Sequence, residues 1–443
     1  MKAIVSAMSV MLAVCILDAA YAATWYVDAS VPKAGDGTSW EKAFKRIQLG
    51  INKAVDGDTV IVAQGTYVEN VNFQGKNIVL TSTQPTNWDI VAKTIIDGNK
   101  AGSVVTFLGT EDETSVLSGF TLRNGNGTPT FFSSAWGDGT GGGGIFGGHV
   151  PDLTRATVEN NLITGNACVF GGGVFGVSGA IRNNVIVSNS AVLMGGALAL
   201  CTGVIENNII AGNSGYCSGG LGHCNATVRN SAVVGNTAAS FHAGGFGHLG
   251  RCPYGIPMVG SITNCIIWGN TSPTDPQVHD SVVPTYCCIQ DWTGGGEANI
   301  ALNPAFVDPD GPDDDPNTYE DNDYRLLLAS PCIDAGINED WMATAVDFDG
   351  KPRIVLGASS LTVDIGAYEY RFDVGIVRNA ESSVELSWTM RPVTSYTLLS
   401  TFDMTLQPWT EETTIFGGKT GGPASWIDPD ASSSLKFYRL EVK

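Results

Sequence analysis

The chain has 443 residues, of which 43% are hydrophobic and 15% are charged, and its formal net charge is −20. A chain of this length can bury a large core and hold more than one domain. The negative charge repels nucleic acid and anionic membrane surfaces at long range, so we expect neither as a partner. It also counts against a polyuronate ligand, unless calcium bridges the two.

The first 22 residues have the pattern of a secretory signal. Lys2 precedes an apolar run at residues 4–17, and Ala20-Tyr21-Ala22 supplies a cleavage site. The run is too short to span a bilayer, and no later segment is long and apolar enough to form a transmembrane helix. We predict that residues 1–22 are removed and that the mature chain is secreted or held at the cell surface.

A helix is predicted near the start of the mature chain. Residues 38–41 form a capping-box pattern. The apolar residues that follow share one helical face: Phe44, Ile47, Ile51 and Ala54. We expect this helix to plug the open end of a β structure and to protect its first strand from pairing with another chain.

Residues 158–270 contain a short phrase five times: an asparagine, an apolar triplet, a second asparagine and, in most copies, a glycine cluster. The first asparagines are Asn160, Asn183, Asn207, Asn230 and Asn264, and the second are Asn166, Asn189, Asn213, Asn236 and Asn270. A regular period in the low twenties indicates stacked supersecondary units. Short β-branched runs broken by Gly and Asn favour a β-solenoid, with left-handed corners and asparagine amides bonded from coil to coil.

The residue before the first asparagine alternates in charge from coil to coil: Glu159, Arg182, Glu206, Arg229. The predicted column, here called the charged ladder, is interpreted as an exposed ion-pair network that fixes the register. The alternative is a charged track for a substrate.

The repeat resembles those of right-handed parallel β-helix proteins of the pectate-lyase-like kind, and the resemblance covers residues 24–371. It implies an all-β fold with a right-handed parallel β-helix at residues 23–300. Because this scaffold carries lyases, hydrolases, tail spikes and adhesins alike, it implies no single activity.

An insertion at residues 125–144 interrupts the early coils and carries Phe131, Trp136 and Asp138. Loops that project from a solenoid wall often carry function. Aromatic rings beside an acid suit sugar stacking; the alternative is that the rings cover the apolar wall.

His223 and His248 follow paired glycines at the same distance, so we expect their rings to stack on successive coils. By the same count, earlier coils carry Ala199, Gly176 and Gly147 there. Stacked imidazoles disfavour double protonation, which would hold one as a neutral base. With Arg251 as a cationic neighbour, the pair would suit uronate elimination. The alternative is that both histidines lie in the interior.

A second insertion, near residues 251–260, lengthens the last repeat and is predicted to form one cleft with the first insertion. The residues assigned to substrate binding are Phe131, Trp136, Asp138, His149, His242 and Tyr254.

Residues 301–371 form a different module, with the passages NPAFVD at 303–308, SPCIDAG at 330–336, DFDGKPR at 347–353 and VDIGAYE at 363–369. This series resembles the choice-of-anchor Q domain of exported β-helix proteins. The resemblance implies that the module closes the solenoid and connects it to a surface anchor.

Eight acidic residues and no basic residue lie at positions 308–323. Calcium prefers oxygen ligands, so a calcium site is predicted at Asp308, Asp310, Asp313 and Asp315. The spacing is not that of an EF-hand, and a solvated acidic loop is the alternative.

Residues 372–443 contain alternating runs with turns between them, which predicts a small β-sandwich. They resemble the fibronectin-type-III-like tails of exported bacterial proteins.

Ten cysteines are present, nine of them after the signal. Cys217 and Cys224 flank one turn and could pair, whereas Cys168, Cys201 and Cys265 are expected to be buried small residues.

The sequence thus favours a monomer that binds polysaccharide, or another cell-surface component, on its lateral wall. One alternative is a polysaccharide lyase or glycoside hydrolase that uses His223, His248 and Arg251. The other is an adhesin or structural surface protein without catalysis.

Overall fold

The computed structural model describes residues 22–133, 137–240, 243–248, 260–315, 317–354 and 362–370, together with six strands between residues 375 and 442. From residue 24 to residue 289 the described part of the chain winds through stacked coils, and apart from two hairpins their strands pair in parallel with strands of the neighbouring coils. The parallel β-helix predicted from the repeat is confirmed. No helix of the described residues is long and apolar enough to cross a bilayer.

Four sheets form the walls of the helix. The first sheet contains Thr24–Val27, Thr59–Val62, Val79–Ser82, Val116–Ser118, Thr157–Glu159, Ala180–Arg182, Val204–Glu206, Thr227–Arg229 and Ser261–Thr263. The second contains Gly65–Val68, Thr94–Asp97, Thr121–Arg123, Leu162–Thr164, Val185–Val187, Ile209–Ala211, Ala232–Val234, Ile266–Trp268 and Cys288–Ile289. The third contains Val71–Asn72, Val105–Thr106, Ile145–Phe146, Val174–Phe175, Leu198–Ala199, Leu221–Gly222, Phe246–Gly247 and Val278–His279. The fourth contains Thr128–Ser133, Gly137–Gly141, Ala167–Phe170, Ser190–Met194, Ser214–Gly215 and Thr237–Ala238.

The corner between the first and second sheets is a single left-handed residue in each regular coil. Asn160, Asn183 and Asn207 have φ values of 55°, 53° and 53°, and Asn230 and Asn264 follow at 44° and 52°. Asparagine tolerates this conformation better than most residues. The predicted role of the first asparagines as corner residues is therefore confirmed.

The second asparagines form a buried column inside the helix, here called the asparagine ladder: Asn166, Asn189, Asn213, Asn236 and Asn270. The Asn189 amide donates to Asn213 Oδ1 at 3.0 Å and to the carbonyl of Ile163 at 2.8 Å, and its own oxygen accepts from Asn166. The coil-to-coil amide bonding predicted from the repeat is confirmed. Each side chain satisfies backbone groups that the corner would otherwise leave unpaired in the interior.

The core lies inside the coils and is built from aliphatic columns. One coil contributes Val158, Ile163 and Val174, all fully buried, and the next contributes Ile181, Ile186 and Leu198. Burying each such side chain stabilises the fold by about 1.5–3 kcal/mol.

The N-terminal cap differs in detail from the prediction. The helix spans Ile47–Lys53, after a separate 3-10 turn at Trp40–Lys42, and Ser39 makes no side-chain capping bond. Phe44 is extended between them because its backbone pairs with Tyr26 and Asp28. The carboxylate of Glu69 caps the helix instead, accepting from the first two N–H groups. Ile47 and Ile51 still pack on the core, as predicted for an end plug.

The module at residues 301–371 lies along the side of the helix, whereas the resemblance implied that it closes the end. Its buried aromatic and aliphatic residues cover the outer face of the second sheet, where Val187, Ile209 and Ala211 would otherwise meet water. Tyr319 packs on Gly212, where a Cβ would come within 2.0 Å of the ring. Its short elements are an antiparallel pair, Phe306–Asp308 with Asp323–Leu326, and a 3-10 turn at Asp340–Ala343. At the C-terminal end of the helix, which the module was expected to close, Trp292 packs against the core.

Arg353 fastens the module to the helix. Its buried guanidinium donates to Glu369 Oε1 and to Asn207 Oδ1, both at 2.5 Å, and the Asn207 amide donates back to the carbonyl of Val346 at 2.7 Å. The segment that contains Val346 is thereby held over the corner asparagines.

The six C-terminal strands form two antiparallel sheets. One contains Gly375–Arg378, Val384–Met390 and Gly422–Asp428, and the other contains Thr410–Phe416, Ser395–Thr401 and Phe437–Val442. Leu386 of one sheet and Leu398 of the other belong to a single buried cluster. The predicted β-sandwich is confirmed; its likeness to fibronectin type III remains a prediction.

All the cysteines of the described residues are buried and free, including Cys217 and Cys224, which the sequence suggested as a pair. Cys168, Cys201 and Cys265 are buried as expected. Cys252 lies outside the described residues.

Candidate functional site

The predicted histidine stack is present on the third sheet. The rings of His223 and His248 lie 4.7 Å apart and 17° from parallel. Both residues have positive φ, 50° and 56°, and they share their column with Leu200 rather than with Ala199, because Ala199 pairs with Gly222. In that coil, counting from the paired glycines therefore gave a position one residue too early. Both histidines are partly exposed, the side chain of His248 to 17%, so neither is fully enclosed in the core. Their catalytic role stays a prediction.

The sequence analysis did not identify the next members of this column. Nδ1 of His248 lies 3.3 Å from Oδ2 of Asp280, and its ring meets the ring of His279 edge-on at 5.5 Å. His279 in turn lies 2.7 Å from Asp275. In the coil of His279, Pro276 and Gln277 take the positions of the paired glycines. Because the histidine positions were counted from those glycines, this coil could not be aligned from sequence.

The first insertion is a β-hairpin and joins the fourth sheet. Phe131 and Asp138 are opposite each other across the two strands, and Phe131 is 53% exposed. Thr130, on the other face of the strand, lies within hydrogen-bond distance of His149 at 3.2 Å. Phe131 and Asp138 therefore share one face, and His149 lies on the other.

Several predicted site residues lie outside the described residues: Trp136, His242, Arg251 and Tyr254. The cleft between the two insertions thus remains a prediction. The described members fall into two groups, since the third-sheet strand next to His149 is three coils from that of His223, about 14 Å along the axis.

The four predicted calcium ligands do not converge. Asp313 accepts bonds from the backbone of Asp315 and the hydroxyl of Thr318, and Asp315 accepts from Asn317. The two bonds that Asn317 donates lower the pKa of Asp315. Asp308 lies on a strand and Asp310 in the following turn. Among the described residues no group of three or more acidic, histidine or cysteine side chains is placed to hold a metal ion.

A cavity of about 610 Å³ lies on another wall, between the charged ladder and the module. Glu159, Arg182 and Glu206 line it together with the corner asparagines of the same coils. The module contributes Trp341, Phe348 and Asp349, among other residues at 341–350. We call this cavity the ladder groove.

A stacked pair of side chains marks each end of the ladder groove. Before the coil of Glu159, Trp88 stacks on Phe348 with ring centroids 5.2 Å apart and planes 9° from parallel. After the coil of Glu206, the guanidinium of Arg229 lies 3.6 Å from the centre of the Trp341 ring. Aromatic rings and the charged groups of the ladder therefore line the same cavity.

The ion pairs predicted for the charged ladder are present. Arg182 Nε donates to Glu159 Oε2 at 2.8 Å, and Arg229 donates to Glu206 Oε2 at 2.7 and 2.9 Å. Arg182 is 43% exposed, so its ion pair adds little stability. The second pair is not exposed as predicted, because Trp341 covers Arg229 and the side chains of Arg229 and Glu206 are only 18% and 12% exposed. On the module side Arg325 holds Asp349 through two bonds, which raise the pKa of the arginine.

The sequence revealed the floor of this groove but not its walls. The charge alternation identified the ladder, whereas Trp88 and Trp341 are 253 residues apart and only the folding of the module along the side brings them together.

No protein-family model and no curated protein matches the chain. Among solved structures, the chain is similar to the crystal structure of pectate lyase Pel9A. The match has 12% identity and a TM-score of 0.40, and it covers 79% of this chain and 96% of that one. At this level the likeness carries no argument about activity, and the fold assignment rests on the strand pairings given above.

Proposed function

We propose that this protein binds polysaccharide in the ladder groove. The observation that carries the proposal is the pairing of aromatic walls, from Trp88, Trp341 and Phe348, with a floor of carboxylate, guanidinium and amide groups. A sugar ring has an apolar C–H face that packs on an aromatic ring and hydroxyl groups that need polar partners. A volume of about 610 Å³ is within the usual range for ligand sites.

We further propose that binding serves attachment rather than turnover, with the protein exported and located at the cell surface. Export rests on the signal pattern at residues 1–22 and stays a prediction, as does a monomeric state. The two carboxylates of the floor each engage an arginine, an arrangement that suits holding a ligand more than transferring a proton.

Polysaccharide cleavage is the second candidate, and the histidine column favours it. A half-buried imidazole beside a carboxylate, as in His248 and Asp280, is a reasonable general base. This site lies on a different wall from the ladder groove, so the two candidates can be separated by mutation.

The test of binding is titration calorimetry of the purified protein against a panel of polysaccharides. We expect Trp341→Ala to weaken the best ligand about tenfold, the scale of one lost aromatic contact. Tyr216→Ala, which truncates an aromatic residue that is 49% exposed and directly follows the fourth-sheet strand Ser214–Gly215, is the matched control and should bind normally. Equal loss in both variants, or binding unaffected by Trp341→Ala, would place the site elsewhere.

The test of cleavage uses the same panel and records new reducing ends and the ultraviolet absorbance of unsaturated uronate. Product formation that disappears in His248→Ala would establish the enzyme. Binding without product would support attachment.

A further inference from the structure

The groove floor offers hydrogen-bond partners in a fixed order. All ion-pair bonds of Glu159 and Glu206 described above fall on Oε2, which leaves Oε1 of each carboxylate to accept a bond from a ligand. Arg182 uses Nε for Glu159, which leaves the terminal nitrogens of a side chain that is 43% exposed to donate. Along the helix axis the floor therefore presents an acceptor, a donor and an acceptor.

The spacing of this pattern is that of the coils. Glu159, Arg182 and Glu206 are register partners on three successive strands. Neighbouring strands lie about 4.8 Å apart, so the three positions repeat at that interval. One pyranose unit of an extended glycan has a similar length, and a chain lying along the axis would place one sugar on each coil.

The charge of the groove disfavours an acidic ligand. Its lining carboxylates, Glu159, Glu206 and Asp349, are each paired with an arginine: Arg182, Arg229 and Arg325. The positive charge of these three arginines is therefore already compensated. A carboxylate on each sugar would gain no attraction from an uncompensated cation and would meet the field of a protein of net charge −20.

We propose that the ligand is a polysaccharide without acidic groups, bound along the helix axis with three consecutive sugars over Glu159, Arg182 and Glu206. Its hydroxyl groups donate to the glutamates and accept from the arginine. The inference rests on the proposed function and names the ligand class of the same site. It predicts that polyuronates bind at least tenfold more weakly.

The first test is a length series of one neutral glycan, from monosaccharide to hexasaccharide, titrated into the protein. Tryptophan fluorescence is the readout, because Trp88 and Trp341 line the groove. We expect affinity to rise up to the trisaccharide, by at least tenfold in total, and then to level off. A monosaccharide that binds as tightly as the trisaccharide would overturn the three-coil arrangement.

The second test compares that trisaccharide with an oligouronate of equal length in the native protein and in Glu159→Gln. In the native protein we expect the neutral ligand to bind at least tenfold more tightly. In Glu159→Gln the preference should shrink several-fold, because the variant loses a charge-assisted bond to the neutral ligand and a charge that repels the acidic one. An unchanged preference would contradict the charge argument.

The outcomes separate this inference from the proposed function. Oligouronate binding that is lost in Trp341→Ala would uphold glycan binding in the groove and refute the neutral ligand class. A failure of every glycan in the panel to bind would refute both.

Discussion

The asparagine ladder and the charged ladder are made by the same repeat, yet they differ in what surrounds them. The asparagines lie inside the helix and bond to one another and to backbone carbonyls, so each is fully used. The charged residues lie on the outside, where Glu159, Arg182 and Glu206 line the groove. A column that repeats in the interior stabilises the fold, whereas one that repeats on the surface becomes a site only when something covers it.

The interior ladder should be the most sensitive to substitution. Asn189→Ala would leave the carbonyl of Ile163 and the N–H of Asn166 buried without their partner, which we expect to cost about 4 kcal/mol. The measurement is the free energy of unfolding from urea denaturation. Val192 lies on the fourth-sheet strand of the same coil and is 69% exposed. Val192→Ala should therefore change the free energy of unfolding by less than about 0.5 kcal/mol. Similar losses in the two variants would mean that the ladder has no special role.

The cover over the charged ladder should depend on Arg353. Arg353→Met leaves Glu369 buried without its cation and removes the bond to Asn207, at an expected cost of about 3 kcal/mol. Hydrogen exchange should rise in residues 341–350 while the asparagine ladder stays protected. The double variant Arg353→Met/Glu369→Leu should recover part of the loss. Exchange that rises equally in both regions would show that module and helix unfold as one.

The module should also respond to pH more than the ladder does. Burial raises the pKa of Asp364 to about 7, from 3.8 in an exposed site. Between these values the folded protein keeps a proton that the unfolded chain releases, so this contribution to stability is complete below about pH 4 and is lost as pH rises through 7. We therefore expect the melting temperature of Asp364→Asn to gain about 4 °C relative to the native protein between pH 4 and pH 8. A constant difference across that range would contradict the raised pKa.

The charged ladder itself should matter least for stability. Arg182→Ala removes a bond to Glu159 that is open to water, and the free energy of unfolding should fall by less than about 1 kcal/mol. The same variant should weaken a groove ligand, because it removes the donor from the floor. A large stability loss with binding intact would support the structural interpretation of the ladder over the binding one.

The repeating parts of the fold were predictable from the sequence because the same residue types recur at the same positions in successive coils. Left-handed corners at Asn160 and its equivalents, the bonded amides and the ion pairs all follow from the register of two asparagines. Prediction was less accurate where this pattern changes. Glu69 caps a helix 22 residues before it, and the histidine column slips by one residue where Leu200 replaces Ala199.

Only the periodic parts of the candidate site could be predicted from the sequence. The ladder floor and the His223–His248 stack are periodic, so their neighbours could be counted. Asp280 and His279 follow a coil without the glycine marker, and the groove walls come from residues far apart in the chain.

Local periodicity in the amino acids was therefore enough to establish the coil, its corners and the columns that run along it, since each coil pairs only with its neighbours. Which column becomes a groove depends on how the module packs. Phe348 and Tyr319 of the module pack against the apolar outer face of the second sheet, which includes Val187 and Ile209. That contact spans more than a hundred residues of sequence and has no periodic signature. It is nevertheless what sets Trp341 and Phe348 opposite the charged ladder.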